Sequence, residues 1–197
     1  LPGLVVTPWG GDALSAHLLR VAPAGAAAPA AVHPCCVEAG LVDPLGVVGV
    51  FAVVPLVLLV DRTRLGGRPM PRRWSNLLDE DWRGEVLFGG WRPPSAAAFA
   101  DYNDYLVLSL AERFGADGLA AFARNVKGLR HNVVSARAAG NGDPANGAVT
   151  VTPWMQAAMA PRRDRLAVVW PEDGALAMPL GFVARPDRRD RLRPVVE

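Results

Sequence analysis

The sequence predicts an α/β protein in which mixed sheets are flanked by helices, and three observations carry that prediction. Val-rich runs at residues 4–6, 47–60 and 148–151 have the β-branched composition of strands. Residues 96–114 repeat Phe99, Tyr102, Leu106, Leu110 and Phe114 at helical spacing, on one core-facing stripe. Residues 71–86, P-R-R-W-S-N-L-L-D-E-D-W-R-G-E-V, read as a short helix that stops at a glycine and runs into a buried strand.

Taken in order, Leu4-Val5-Val6 is a strand entering the corner Thr7-Pro8-Trp9-Gly10-Gly11-Asp12, with Asp12 placed to cap a helix over 13–21. Residues 22–31 are a low-complexity Ala/Pro loop. Residues 47–60 carry no charge but are interrupted by Gly49 and Pro55. The run falls short of the roughly 20 residues a spanning helix needs, so one or two buried strands are expected. A small helix or turn follows at 61–65. In the 71–86 block, Ser75 or Asn76 is expected to cap, Trp74, Leu77, Leu78 and Trp82 to face inward, and Asp79, Glu80 and Asp81 to stay wet. Leu87-Phe88 continues into Gly89-Gly90-Trp91-Arg92-Pro93-Pro94-Ser95, a loop whose glycines permit close backbone approach and whose Ser95 caps the 96–114 helix. A second helix is expected over 118–127, a polar segment over 135–147 and a strand over 148–151. A strand over 166–170 and another over 178–184 complete the pattern, before an Arg/Asp-rich tail.

Length and composition set the class. With 197 residues, 51% hydrophobic and 20% charged, the chain is globular and long enough for one large domain or two small ones. A net charge of +2 with scattered arginines gives no argument for nucleic acid. The opening Leu1-Pro2-Gly3 lacks a basic segment followed by an apolar core, so no signal peptide is read. The motifs of serine hydrolases, P-loop proteins, dinucleotide binders and H-E-x-x-H metalloproteases do not occur.

Cys35 and Cys36, two residues after His33, admit three readings. They are soft metal ligands with His33, a vicinal disulfide, or ordinary thiols behaving as small hydrophobes. The adjacent pair is not the C-x-x-C spacing of a regular zinc site.

The 71–86 block resembles the "P-x-S-W-x-D-L-L-D-P-x-(W/Y)-K-G-K-(V/I)" signature of two-lobed extracytoplasmic solute-binding proteins of ABC importers. It is most similar to the type 2 group that includes ferric-iron and polyamine binders. Val53-Val54-Pro55 resembles the family's hinge, and Val168-Val169-Trp170-Pro171-Glu172-Asp173-Gly174 its "V-x-x-P-x-E-G" return. The resemblance implies a type 2 periplasmic-binding-protein-like fold, each lobe a mixed sheet with helices, shortened at both ends. It places lobe 1 at 1–54 and 166–197 and lobe 2 at 55–165. It implies capture of a metal ion, metal chelate or small organic solute by hinge closure, an extracytoplasmic location, a membrane permease as partner and a monomeric chain. No cofactor is implied, a bound metal being cargo.

Candidate ligand-binding residues follow from strand ends and loops. Thr7 and Trp9 stand at one corner and Thr152 and Trp154 at another, since Val151 to Trp154 repeats the Val6 to Trp9 quartet V-T-P-W. Two such tryptophans would stack on an organic or cationic guest. Gly89, Gly90, Trp91, Arg92 and Ser95 form the loop that the family places against ligand, with Arg92 available to an anion. His131 and Glu172 complete the set. Ferric binders use adjacent tyrosines, whereas Tyr102 and Tyr105 are the only tyrosines here and are three apart, which argues against that ligand set. The rival reading is a thiol- or metal-dependent enzyme centred on His33, Cys35 and Cys36, and a third is an orphan binding fold used as a sensor.

Overall fold

The computed structural model describes residues 4–8, 34–43, 48–89 and 101–184. The chain divides into two compact units, Leu1–Val54 with Met178–Glu197, and Pro55–Ala177. Among the described residues, no helix is long and apolar enough to cross a membrane.

In the first unit, β1 (Leu4–Pro8) runs antiparallel to β7 (Leu176–Ala184), with Leu4 opposite Ala184 and Pro8 opposite Leu180. The start of β2 (Gly49–Asp61) also belongs here. Gly49 is required by packing, because a Cβ there would fall 2.3 Å from the ring of Phe182. That ring lies 6.4 Å, centroid to centroid, from Phe51. The short helix α1 (Pro34–Glu38) ends at Gly40, whose φ of 67° is left-handed.

From Gly49 on, the uncharged run forms one strand. At Val54 and Pro55, β2 passes from the first unit into the second, and its burial changes there from alternating to continuous. In the second unit β2 pairs antiparallel with β5 (Val149–Pro153) on one edge and with β6 (Leu166–Val169) on the other. The return to the first unit was expected from residue 166. Because Leu166–Val169 hydrogen-bonds along Leu58–Asp61, it stays in the second unit, and the boundary falls at Met178. Beyond β5, the sheet continues through β3 (Val86–Phe88) and β4 (Val126–Leu129), both parallel to β5.

Both faces of this sheet are covered, which is why Leu56 to Val60 read as an unbroken apolar run. Leu56, Leu58 and Val60 face Trp74, Leu77, Trp82, Leu106, Leu110 and Phe122. Val57 and Leu59 face Ala136, Ala139, Ala157, Ala160 and Leu166.

The 71–86 block packs on the first of these faces. It folds as two 3-10 turns, Trp74–Leu78 and Glu80–Trp82, with Trp74, Leu77 and Trp82 buried and Asp79, Glu80 and Asp81 exposed. Capping differs from expectation. Ser75 lies inside the turn, and Asn76 folds its Oδ1 back to accept from the backbone N–H of Arg72 and Arg73, both at 3.0 Å. Arg68 stacks on Trp82 at 4.6 Å and donates to the carbonyls of Leu65, Arg64 and Asp81. Asp61 begins the preceding turn, Arg62–Arg64, and accepts from the Thr63 N–H and hydroxyl at 3.0 and 2.6 Å.

Residues 101–125 form α2 (Asp101–Asn125), broken at Gly115 where φ is 67° and ψ −174°. The break falls between the two helices expected from sequence. The second helix stops at Asn125 rather than at Lys127, because Val126 and Leu129 pair with Val86 and Phe88 as β4. Tertiary pairing here outweighs the local helix pattern. The buried Asn125 side chain fixes the junction by donating to the carbonyls of Leu77 at 2.9 Å and Asp79 at 2.7 Å.

Candidate functional site

Parallel pairing brings several strand ends to one edge of the second unit. Phe88 lies opposite both Leu129 and Val151, so Gly89, the segment Arg130 to Asn132, and Trp154 leave the sheet at one edge, where Thr152 and Pro153 end β5 still paired to β2. Leu58 lies opposite both Val151 and Val169, so Trp170 leaves β6 at this edge as well. Two helices start here, α3 (Asn132–Ala138) and α4 (Trp154–Ala158). In open α/β sheets this carboxyl edge is where ligands sit, since side chains and loop backbone converge there without blocking the sheet's own hydrogen bonds.

Gly89 is pressed against Asn132. A Cβ at Gly89 would lie 2.2 Å from Asn132 Oδ1, so the Asn132 amide must turn aside to admit one. Gly89→Ala is expected to lose roughly 1–3 kcal/mol through overpacking. Adding Asn132→Ala should restore much of it; urea unfolding of both variants and the double variant measures the coupling.

His131 is the N-cap of α3, its Nδ1 accepting from the Val133 N–H at 3.3 Å. Its ring thus has a structural task at the mouth of the site. Thr152 is fully buried opposite Val57, and therefore shares the face of α3 and α4. Neither its Oγ1 nor the Oγ of buried Ser135, on α3, hydrogen-bonds within the described residues. Trp154 is 46% exposed and meets Trp170, 49% exposed, with centroids 6.1 Å apart and planes tilted by 42°.

Glu172 belongs elsewhere. Its carboxylate reaches Arg72 at 3.3 Å and Arg73 at 3.4 Å, and its N–H donates to the Arg72 carbonyl at 2.8 Å. Glu172 thus joins the block on the opposite face of the sheet, at the wall of a cavity of about 450 Å³ that also includes Arg68, Met70 and Trp82. Both ion pairs are well exposed and contribute little to stability. Tyr105 is likewise engaged, its hydroxyl donating to the Ala177 carbonyl at 2.8 Å.

For Thr7 the main chain is described, opposite Gly181 in the first unit. Trp9, Gly90, Trp91, Arg92, Ser95 and His33 lie outside the described residues. Cys35 and Cys36 carry thiols rather than a disulfide. Desolvation first, and then the adjoining Cys35 thiol, push the Cys36 pKa up, which keeps it protonated and weakens it as a nucleophile or ligand. Among the described residues no group of three or more His, Cys, Asp or Glu is placed to hold a metal ion.

Three residues at the edge escaped the sequence reading: Asn132, Ser135 and Trp170. Only Trp170 carried a usable signal, since it follows its strand much as Trp154 follows β5.

The sequence pattern of the bacterial extracellular solute-binding proteins matches residues 15–197. This chain belongs to that family. Solved structures share its fold. The Trichodesmium protein IdiA (FutA), in complex with iron and citrate, is 16% identical with a TM-score of 0.58, over 97% of this chain and 58% of that one. Ferric iron-binding protein A of Mannheimia haemolytica, in an open conformation, is 13% identical with a TM-score of 0.58, over 97% and 57%. The periplasmic binding protein AfuA from Actinobacillus pleuropneumoniae, with fructose-6-phosphate bound, is 20% identical with a TM-score of 0.53, over 76% and 48%. The architecture of this solute-binding protein is therefore that of the type 2 periplasmic binding proteins, and the chain spans about half the length of the structures it matches. No curated protein matches it.

Proposed function

We propose that this protein is the solute-binding component of an ABC-type importer, acting outside the cytoplasm as a monomer. It captures one small solute and hands it to a membrane permease, with the β2 crossing at Val54 and Pro55 as the hinge of the cycle. The observation that carries this reading is the shared carboxyl edge of β3, β4, β5 and β6, where Gly89, Asn132, Thr152, Trp154 and Trp170 gather in a member of a solute-binding family. Iron with citrate and a sugar phosphate are the guests of structures with this fold, so a metal chelate and a small organic solute both suit it. No bond is made or broken in this role, and no resident cofactor is needed.

Native mass spectrometry with elemental analysis, on protein purified from its own compartment, tests the proposal. One small molecule or ion per chain, released on unfolding, is the expected result. Protein that carries nothing, and whose melting temperature no solute in a broad panel raises, would overturn it.

A further inference from the structure

Beside α4, next to the carboxyl edge, lies a groove of about 250 Å³ between that helix and β6. Leu59, Trp154, Ala157 and Val168 contribute to its walls, and Arg163 is the one charged residue on its lining among the described residues. Trp170, ring to ring with Trp154, extends the aromatic surface. Resting on the solute-binding reading above, we propose that this groove selects the class of solute: a small organic anion with one flat ring, such as an aromatic carboxylate.

Each part of the guest is argued from a feature of the groove. The volume of about 250 Å³ lies just below the range of ordinary ligand pockets, roughly 300 to 1,000 Å³, so it suits nothing larger than a single ring with a short substituent. The two indoles are too close to admit a ring between them. They form a tilted pair with a joint face, onto which a flat ring packs edge-on or offset. That face is nearly half exposed on both tryptophans, an unusual placement for large aromatics unless something covers it. Charge decides the sign of the substituent. The Arg163 guanidinium, which lines the groove, donates to the Ala158 carbonyl at the end of α4. The neighbouring acid, Asp164, is taken up by Arg165 at 3.8 Å. A carboxylate can therefore meet Arg163 through charge-assisted hydrogen bonds without facing a carboxylate of the lining.

Isothermal titration of the intact chain with benzoate, benzyl alcohol and benzylamine tests the charge, with ferric citrate and fructose-6-phosphate run as competing solute classes. Benzoate is expected to bind at least tenfold more tightly than the alcohol and more tightly still than the amine. Trp154→Ala and Trp170→Ala should each weaken benzoate tenfold or more, while melting temperatures, followed by circular dichroism, stay within a few degrees because both rings are half exposed. Arg163→Gln should bring benzoate down to the level of the alcohol. Equal binding of all three ring compounds, tighter binding of the amine, or unchanged benzoate affinity in both tryptophan variants would overturn the proposal. If ferric citrate or fructose-6-phosphate binds and benzoate does not, the selectivity claim falls and the solute-binding reading stands. If nothing binds, and the purified protein also carries nothing, both fall.

Discussion

Replacing Trp74 by alanine should cost about 3–5 kcal/mol, the range for removing a large buried aromatic. The indole is fully buried between the sheet and α2, in the cluster that includes Leu56, Leu58, Leu77 and Phe122. Its Nε1–H donates to the Gly174 carbonyl at 2.9 Å, so truncation opens a cavity and also strips a partner from a distant loop. For a chain of this size each kcal/mol moves the midpoint by roughly 2–4 °C, so a fall on the order of 10 °C is expected in a calorimetric scan. Trp74→Phe separates the two losses. It keeps most of the packing and deletes the donor, and should cost roughly 1–3 kcal/mol. If the alanine variant melts within 2 °C of the parent, Trp74 is not a core anchor.

Asn125→Leu should be nearly as damaging for a different reason. Leucine keeps the branching of asparagine but ends in bulkier methyls and has no donor, so mild overpacking joins the loss of the hydrogen bonds. The amide Nδ2 of Asn125 is the donor for two carbonyls, Leu77 and Asp79, in the heart of the block. The Asp79 carbonyl keeps the Trp82 N–H at 3.1 Å, but the buried Leu77 carbonyl is stranded at roughly 1–3 kcal/mol, and overpacking adds roughly 1–3 kcal/mol, so about 2–6 kcal/mol is expected in urea unfolding. Asn125→Gln, which keeps the amide but on a longer arm, should recover only part of this. An unchanged midpoint for the leucine variant would mean that water or a shifted backbone satisfies the Leu77 carbonyl.

Neither of these anchors was equally visible in the sequence. Trp74 was, because its spacing to Leu77 and Trp82 fixes one buried face whatever the neighbours do. Asn125 was not, since its importance lies in carbonyls more than forty positions away. The same division holds at the candidate site. Thr152 and Trp154 were legible because a Val-rich strand must end at Pro153 and a turn must follow. Asn132 gained its place only through the parallel pairing of β3 with β4, which lays Gly89 against it. Glu172 is a different case. Its position in a return motif suggested a ligand contact, but the sequence could not say that Arg72 and Arg73, a hundred residues earlier, would engage it. Local rules place strands, caps and helix breaks; which ends meet depends on register and sheet order, and those are set by contacts far apart in the chain.

The clasp between the Trp74 block and residues 172–174 also governs when the second unit can be finished during synthesis. Trp74 leaves the ribosome well before the carbonyl that receives its indole N–H, with 100 positions separating the two. At a translation speed of roughly 5–20 residues per second, that interval lasts roughly 5–20 s. Until Gly174 has been made, the Trp74 indole N–H lacks the acceptor that it has in the folded unit. Sealing of the second unit is thus a late event, timed by the arrival of Gly174.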